Sequence, residues 1–154
     1  MRSRRVIDVV DAAYAPRGDE AEWMEHVLAS LRAGFEVETP AVGVGYAVEG
    51  DAVTIADALV VGARPALSSA MREMITETSA RHAATLRGIL VTARRPIRST
   101  TEVVGAKFDL AAGTGAPASV RQLARDFVGG VVQVSPRRGF ILGVFQPRRV
   151  TLDG

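Results

Sequence analysis

The stretch AVGVGYAVEGDAVTIADALVV, residues 41–61, constrains the fold more than any other part of the chain. Val42, Val44, Tyr46 and Val48 alternate with Ala41, Gly43, Gly45 and Ala47. A period of two belongs to a β-strand, whose successive side chains point to opposite faces. One face of this strand is therefore bulky and the other nearly bare, and a bare face suits close approach by a helix. Glu49-Gly50-Asp51 reads as a turn and Ala52 to Val61 as the returning strand, which gives an antiparallel hairpin.

Helical patterns flank this hairpin. Arg5 to Tyr14 places Val6, Val10 and Tyr14 on one face until Ala15-Pro16-Arg17-Gly18 breaks the pattern. Asp19 and Glu22 have capping-box spacing for a second helix, with Trp23, Val27, Leu28 and Leu31 as its buried stripe and Gly34 as a left-handed stop. After Gly62, Pro65 fits a helix first turn, and Leu67, Met71, Met74, Ile75, Thr78 and His82 keep helical spacing toward Leu86. Gly88 to Thr92 is apolar and of either type. Ser99 and Glu102 form another capping box, opening a short helix that Gly105 ends. Residues 111–117 read as a loop. Ser119 caps a predicted helix through Phe127, with Gly129-Gly130 ending it. Val131–Val134 and Phe140–Phe145 then flank a hairpin loop at 135–139. The order helices, hairpin, helices, hairpin predicts an α+β fold, an antiparallel sheet of hairpins flanked by helices. At 154 residues a single domain, 1–154, is the natural reading.

Composition removes several function classes. The chain has no cysteine, hence no disulfide and no thiolate chemistry. No stretch reaches the roughly 18 uninterrupted apolar residues of a membrane span, and the early aspartates Asp8 and Asp11 rule out a secretory apolar core. A cytoplasmic protein without membrane partners is expected. The pI of 9.6 comes largely from arginine's high pKa, because the formal net charge is only +2. The charge is uneven: six acids face Arg32 alone between Asp19 and Glu38, and six arginines face Asp126 and Asp153 from Arg121 onward.

Motifs for reaction chemistry are missing. There is no phosphate-binding GxxxxGK, and Gly43-Val44-Gly45 lies inside a strand rather than between a strand and a helix. No GxSxG elbow is present. His26 and His82 stand far apart and read as helix-surface or half-buried residues, so no metal site and no cofactor is expected. Glu20, Glu22 and Glu25 read as a solvated face, Ser68-Ser69 as capping or packing, and Met71 and Met74 as core. No catalytic residue is assigned.

The layout of these segments resembles the GAF/PAS-like sensor fold. EAEWMEHVLASLR, RSTTEVVG and GGVVQVSPRRGFILGVFQPRRVTL are similar to the N-terminal sensor regions of bacterial LuxR-type transcriptional regulators. The resemblance implies a non-catalytic regulatory domain that senses a small molecule or a protein and acts as a homodimer. It also implies a closing helix and a DNA-binding helix-turn-helix after the final hairpin, and only Asp153-Gly154 follow RRVTL. DNA would then be bound only through a domain not present here. Lys107-Phe108-Asp109 echoes part of the NKFDE motif of cyclic-nucleotide-binding GAF domains, without its Asn and Glu. The expected pocket wall is Val42, Val44, Tyr46, Phe108 and Phe140. The first rival is a direct nucleic-acid binder using Arg94, Arg95, Arg98, Arg137, Arg138, Arg148 and Arg149, for which stacking aromatics are scarce at 5%. The second is a small enzyme of unknown type.

Overall fold

The structure is a computed structural model that describes residues 11–13, 18–35, 39–92 and 97–152. Its sheet is built around the predicted hairpin. Strand β1 (Ala41–Glu49) turns at Gly50, whose φ of +59° favours glycine, and returns as β2 (Ala52–Ile55). The predicted return strand is split. Ala56 donates its N–H to Gly45 O, Asp57 is exposed, Ala58 turns into the core, and β3 (Leu59–Val61) resumes pairing with β1. The closing hairpin is β5 (Asp126–Ser135) and β6 (Arg138–Gln146). A two-residue strand, β4 (Arg98–Ser99), pairs with β5. The order is β2-β1-β6-β5-β4, with β3 beside β1 beyond the end of β2, and every pair is antiparallel. The α+β architecture expected from the sequence is present.

Helix α1 (Glu20–Gly34) covers one face. Its N-cap is Asp19, whose carboxylate accepts from the Glu22 N–H at 2.8 Å. Met24, Val27 and Leu28 recur at helical spacing and are buried against Ala41, Phe140, Leu142 and Val144. The bare face of β1 receives this helix: a Cβ at Gly43 would stand 2.8 Å from Met24 Cγ. Trp23 is half-buried; its ring lies 5.1 Å from Phe140 and its indole N–H donates to Ala13 O. Gly34 is the last residue of the helix rather than a left-handed stop, because the chain leaves through Phe35 in an extended conformation. Of the predicted first helix, Asp11–Ala13 are helical; Val6, Val10 and Tyr14 lie outside the described residues.

The other face carries α2 (Pro65–Arg81), α3 (Ala83–Thr92), α4 (Thr100–Val104) and α5 (Ala118–Leu123). Pro65 opens α2, and Met71 and Met74 are buried core, as the spacing predicted. The helical pattern breaks at His82, and the apolar segment Gly88–Thr92 is the end of α3. The predicted helix from Ser119 through Phe127 is corrected. It stops at Leu123, its N-cap is Pro117, and Phe127, Gly129 and Gly130 belong to β5. The glycines serve a sheet purpose. Gly129 lies opposite Gly143 of β6, and a Cβ on either would collide with the Phe127 ring. The missing side chains make a hollow into which that ring folds across the ladder.

Gly143 has no room on any side. A Cβ there would stand 2.7 Å from Gly129 Cα as well as against the Val128 carbonyl, and backbone cannot yield as a side-chain tip does. Gly143→Val is expected to lower stability by about 3 kcal/mol, the upper end for overpacking. Gly88, in a helix with open space at its Cβ position, should behave oppositely: Gly88→Ala is expected to add up to about 1 kcal/mol. Urea denaturation of both variants checks the pair of signs.

Candidate functional site

Residue parity decides what faces the α2–α5 side. Directly opposed residues of antiparallel strands share a face. Val42 opposes Gly143, Val44 opposes Ile141, and Phe127 opposes Phe145, so these side chains form one surface. Above it lies a cavity of about 540 Å³. Met74, Ile75 and Thr78 of α2, Leu86, Ile89 and Leu90 of α3, Val103 and Val104 of α4, and Phe108 and Leu110 complete its wall. Many of these apolar side chains, including Ile75, Leu86, Ile89, Val103, Phe108 and Ile141, are only half-buried. They border the open space of the cavity while Ile75 and Ile141 also pack against the core. The volume falls within the range of about 300–1,000 Å³ usual for small-molecule sites.

The polar groups of this wall are mostly committed to backbone. Thr78 donates to Leu110 O at 2.6 Å, Thr92 to Gly88 O at 2.6 Å, Ser99 to Val150 O at 2.6 Å and Thr100 to Phe127 O at 3.2 Å. His82 meets the Phe108 ring edge-on, with centroids 4.9 Å apart. Among the described residues Arg98 is the one arginine or lysine in the lining, which contains no Asp or Glu. Among the described residues no group of three His, Cys, Asp or Glu could hold a metal ion. Such a wall offers apolar burial, aromatic contact and very few polar handles.

Three of the five expected wall residues, Val42, Val44 and Phe108, line the cavity. Tyr46 shares their face but lies farther along β1, opposite Gly139 and outside the lining. Its hydroxyl is buried with no hydrogen-bond partner among the described residues, and burial pushes the phenol pKa up. Phe140 lies on the opposite face. It opposes Gly45, on the bare side of β1, and packs under α1 against Trp23. Sequence reasoning carried the helical spacing only toward Leu86 and left the type of Gly88–Thr92 open, because a five-residue apolar run is too short to show a helical period. It also missed Val103 and Val104, although the capping box had placed their helix correctly.

The segment that walls the cavity also holds the chain after β6. α4 carries the full predicted capping box: Ser99 Oγ accepts from Glu102 N–H, and Glu102 Oε2 accepts from Ser99 N–H at 2.9 Å. Glu102 Oε1 accepts from Leu152 N–H at 2.9 Å, and the Ser99 hydroxyl donates to Val150 O. Asp126, 1% exposed, accepts from the N–H groups of Thr101, Phe127 and Val150 at 2.8–3.1 Å. Arg149 donates to Phe108 O at 3.1 Å. These bonds strap residues 149–152 to the 98–108 segment and to the start of β5. The Ser99 N–H hydrogen bond, foremost, then those of Leu152 N–H and the Ser99 hydroxyl and the nearby Arg98 charge hold the Glu102 carboxyl below the usual range, against partial desolvation.

The arginine pairs fall at opposite ends of β6. Arg137 and Arg138 are at the β5–β6 turn, and Arg148 and Arg149 follow Gln146, separated by a nine-residue strand or about 30 Å. Arg94 and Arg95 lie outside the described residues. Among the described residues the membrane expectation has one bearing fact: no helix is long and apolar enough to cross a bilayer. Neither a protein-family model nor a curated protein sequence matches the chain.

Two outcomes are expected for the strap. Ser99→Ala removes the cap of α4 and the bond to Val150 together, and should cost about 1–2 kcal/mol. It should also speed amide hydrogen exchange at Val150 and Leu152. A depressed carboxyl stabilises the folded form above its unfolded value, about 4.3 for glutamate, and that stabilisation is lost as pH falls through the lower folded value. The protection factor at Leu152 N–H should therefore fall below about pH 4.3, and Glu102→Gln should flatten that dependence.

Proposed function

We propose that this chain is a ligand-sensing domain of a cytoplasmic transcriptional regulator, of the GAF/PAS-like kind found in LuxR-type proteins. The observation that carries the reading is the double use of residues 98–108. They wall the cavity, and they hold residues 149–152 by side-chain hydrogen bonds. A small molecule lodged between Val42, Met74 and Phe108 presses on the same α4 segment whose Ser99 and Glu102 grip the chain after β6. A ligand that fits one setting of α4 better than another shifts the population of strapped and released forms. In the proposed regulator this shift passes to a helix-turn-helix carried beyond the sensor and to the packing of a homodimer. The layout of hairpin, helical excursion and closing hairpin supports the reading, because the sequence resemblance rests on that order.

DNA is bound in this reading through another domain. The chain itself is expected to leave a DNA duplex unbound at physiological salt. Tight binding that falls steeply with salt would favour the direct-binder alternative instead.

Thermal-shift screening of a small-molecule collection should find ligands that stabilise the chain, and hydrogen exchange should then change in residues 98–108 and 149–152 together. Binding that alters the first segment and leaves the second untouched overturns the sensing mechanism. Val103→Trp, which places an indole in the cavity, should weaken every such ligand by at least tenfold while the sheet's exchange protection stays intact.

A further inference from the structure

We propose that the cavity takes an amphipathic organic anion, its apolar body among Met74, Ile89, Val103 and Phe108 and its acidic end paired with the guanidinium of Arg98. This rests on the reading of the cavity as the ligand site and names the chemical class that site selects.

The wall excludes most other classes. Of the six hydroxyl side chains in the lining, Thr78, Thr92, Ser99 and Thr100 spend their hydrogens on backbone carbonyls, so a sugar or other polyol would find Ser79, Thr85 and His82 as neutral partners, too few for its many hydroxyls. Among the described residues the lining holds no carboxylate, so an organic cation would have no countercharge there and would meet Arg98 instead. An apolar body is well served, because half-buried aliphatic and aromatic side chains face the space from both sheet and helices. What remains to be matched is one charge.

Arg98 is placed to match it. Its backbone is fixed in the ladder opposite Gly129, at the sheet edge where α4 begins. The side chain is exposed, lines the cavity, and makes no ion pair with any described residue. The nearest acid in sequence, Glu102, has one oxygen on Ser99 N–H and the other on Leu152 N–H and lies outside the lining; it attracts Arg98 through space without an ion-pair contact. The guanidinium therefore stands beside an apolar space with its donors open. Its planar fork suits a carboxylate, which it can grip through two parallel hydrogen bonds while the rest of the molecule leaves water. Arg98 also adjoins Ser99, so an anion drawn to it acts directly where the strap is anchored.

Matched probes test this without knowledge of a natural ligand. Two bodies are used, a ten-carbon chain and a naphthalene ring, each carrying a carboxylate, a primary amide or an ammonium group. Calorimetric titration should show the carboxylates binding the wild-type chain at least tenfold more tightly than the amides, and the ammonium compounds weakest. Arg98→Gln should cost the carboxylates about tenfold and leave the amides unchanged, and Arg98→Lys should restore part of the loss. Val103→Trp should weaken acids and amides alike, which separates the cavity from a surface site at the arginine. Equal binding of acid and amide, or indifference of the acids to Arg98→Gln, overturns the ligand class while leaving the sensing reading in place. No binding by any of the probes overturns both. Tighter binding of the ammonium compounds overturns the assigned sign of charge.

Discussion

Strand β6 is hydrogen-bonded on both edges, to β1 and to β5, and is covered on both faces. That constraint organises the rest of the molecule. Phe140, Leu142 and Val144 point toward α1, and Ile141 and Phe145 toward α2 and the cavity. A strand buried in this way must be apolar on both faces, and its backbone groups must all find ladder partners. The arginines that bracket it are carried to the two ends, where water reaches them. Gly143 interrupts the apolar series because Phe127 from the neighbouring strand needs its space.

Two layers therefore meet one sheet on different terms. Under α1 the sheet offers glycines, and Met24 and the Trp23–Phe140 pair close the gap tightly. On the other side the helices stand off. α2 packs firmly through Met71 and Met74, which are fully buried, but α3 and α4 keep Ile89, Val103 and Val104 half-exposed around the cavity. Tight packing on one side gives the sheet its rigidity, and loose packing on the other leaves room for an occupant.

Much of this was legible in the residues, and what was not has physical reasons. The alternation in β1, the Asp19 N-cap, the Pro65 start of α2 and the full Ser99–Glu102 box are local signals that local geometry obeyed, while the predicted return bond from Glu22 to the Asp19 N–H is not made. The pairing of Gly129 with Gly143 is not local. Gly-Gly after an apolar run reads as a helix stop until the strand opposite is known to have a glycine at the same level. Phe140 was misplaced for the same reason: its face depends on register, and a one-residue difference in register sends a side chain through the sheet. The cavity was only half visible. A sequence can show that Ile89 and Val103 are apolar, but whether they touch each other or enclose space depends on how far two helices stand from a sheet. The strap was hidden altogether, because it joins residues about 50 positions apart through single side chains.

The Asp126 carboxylate ties three separate stretches of backbone, at 101, 127 and 150, at a single buried point. Its bonds and those of Ser99 and Glu102 lie at the periphery, and none belongs to the ladder between β5 and β6. Residues 149–152 can therefore come away while the pairing of β5 with β6 stays whole. Local openings of this kind draw on a small part of the global free energy of unfolding and recur far more often than global unfolding does. One fold thus keeps two clocks: a slow one set by the doubly paired β6, and a fast one set by a handful of side-chain hydrogen bonds at its margin.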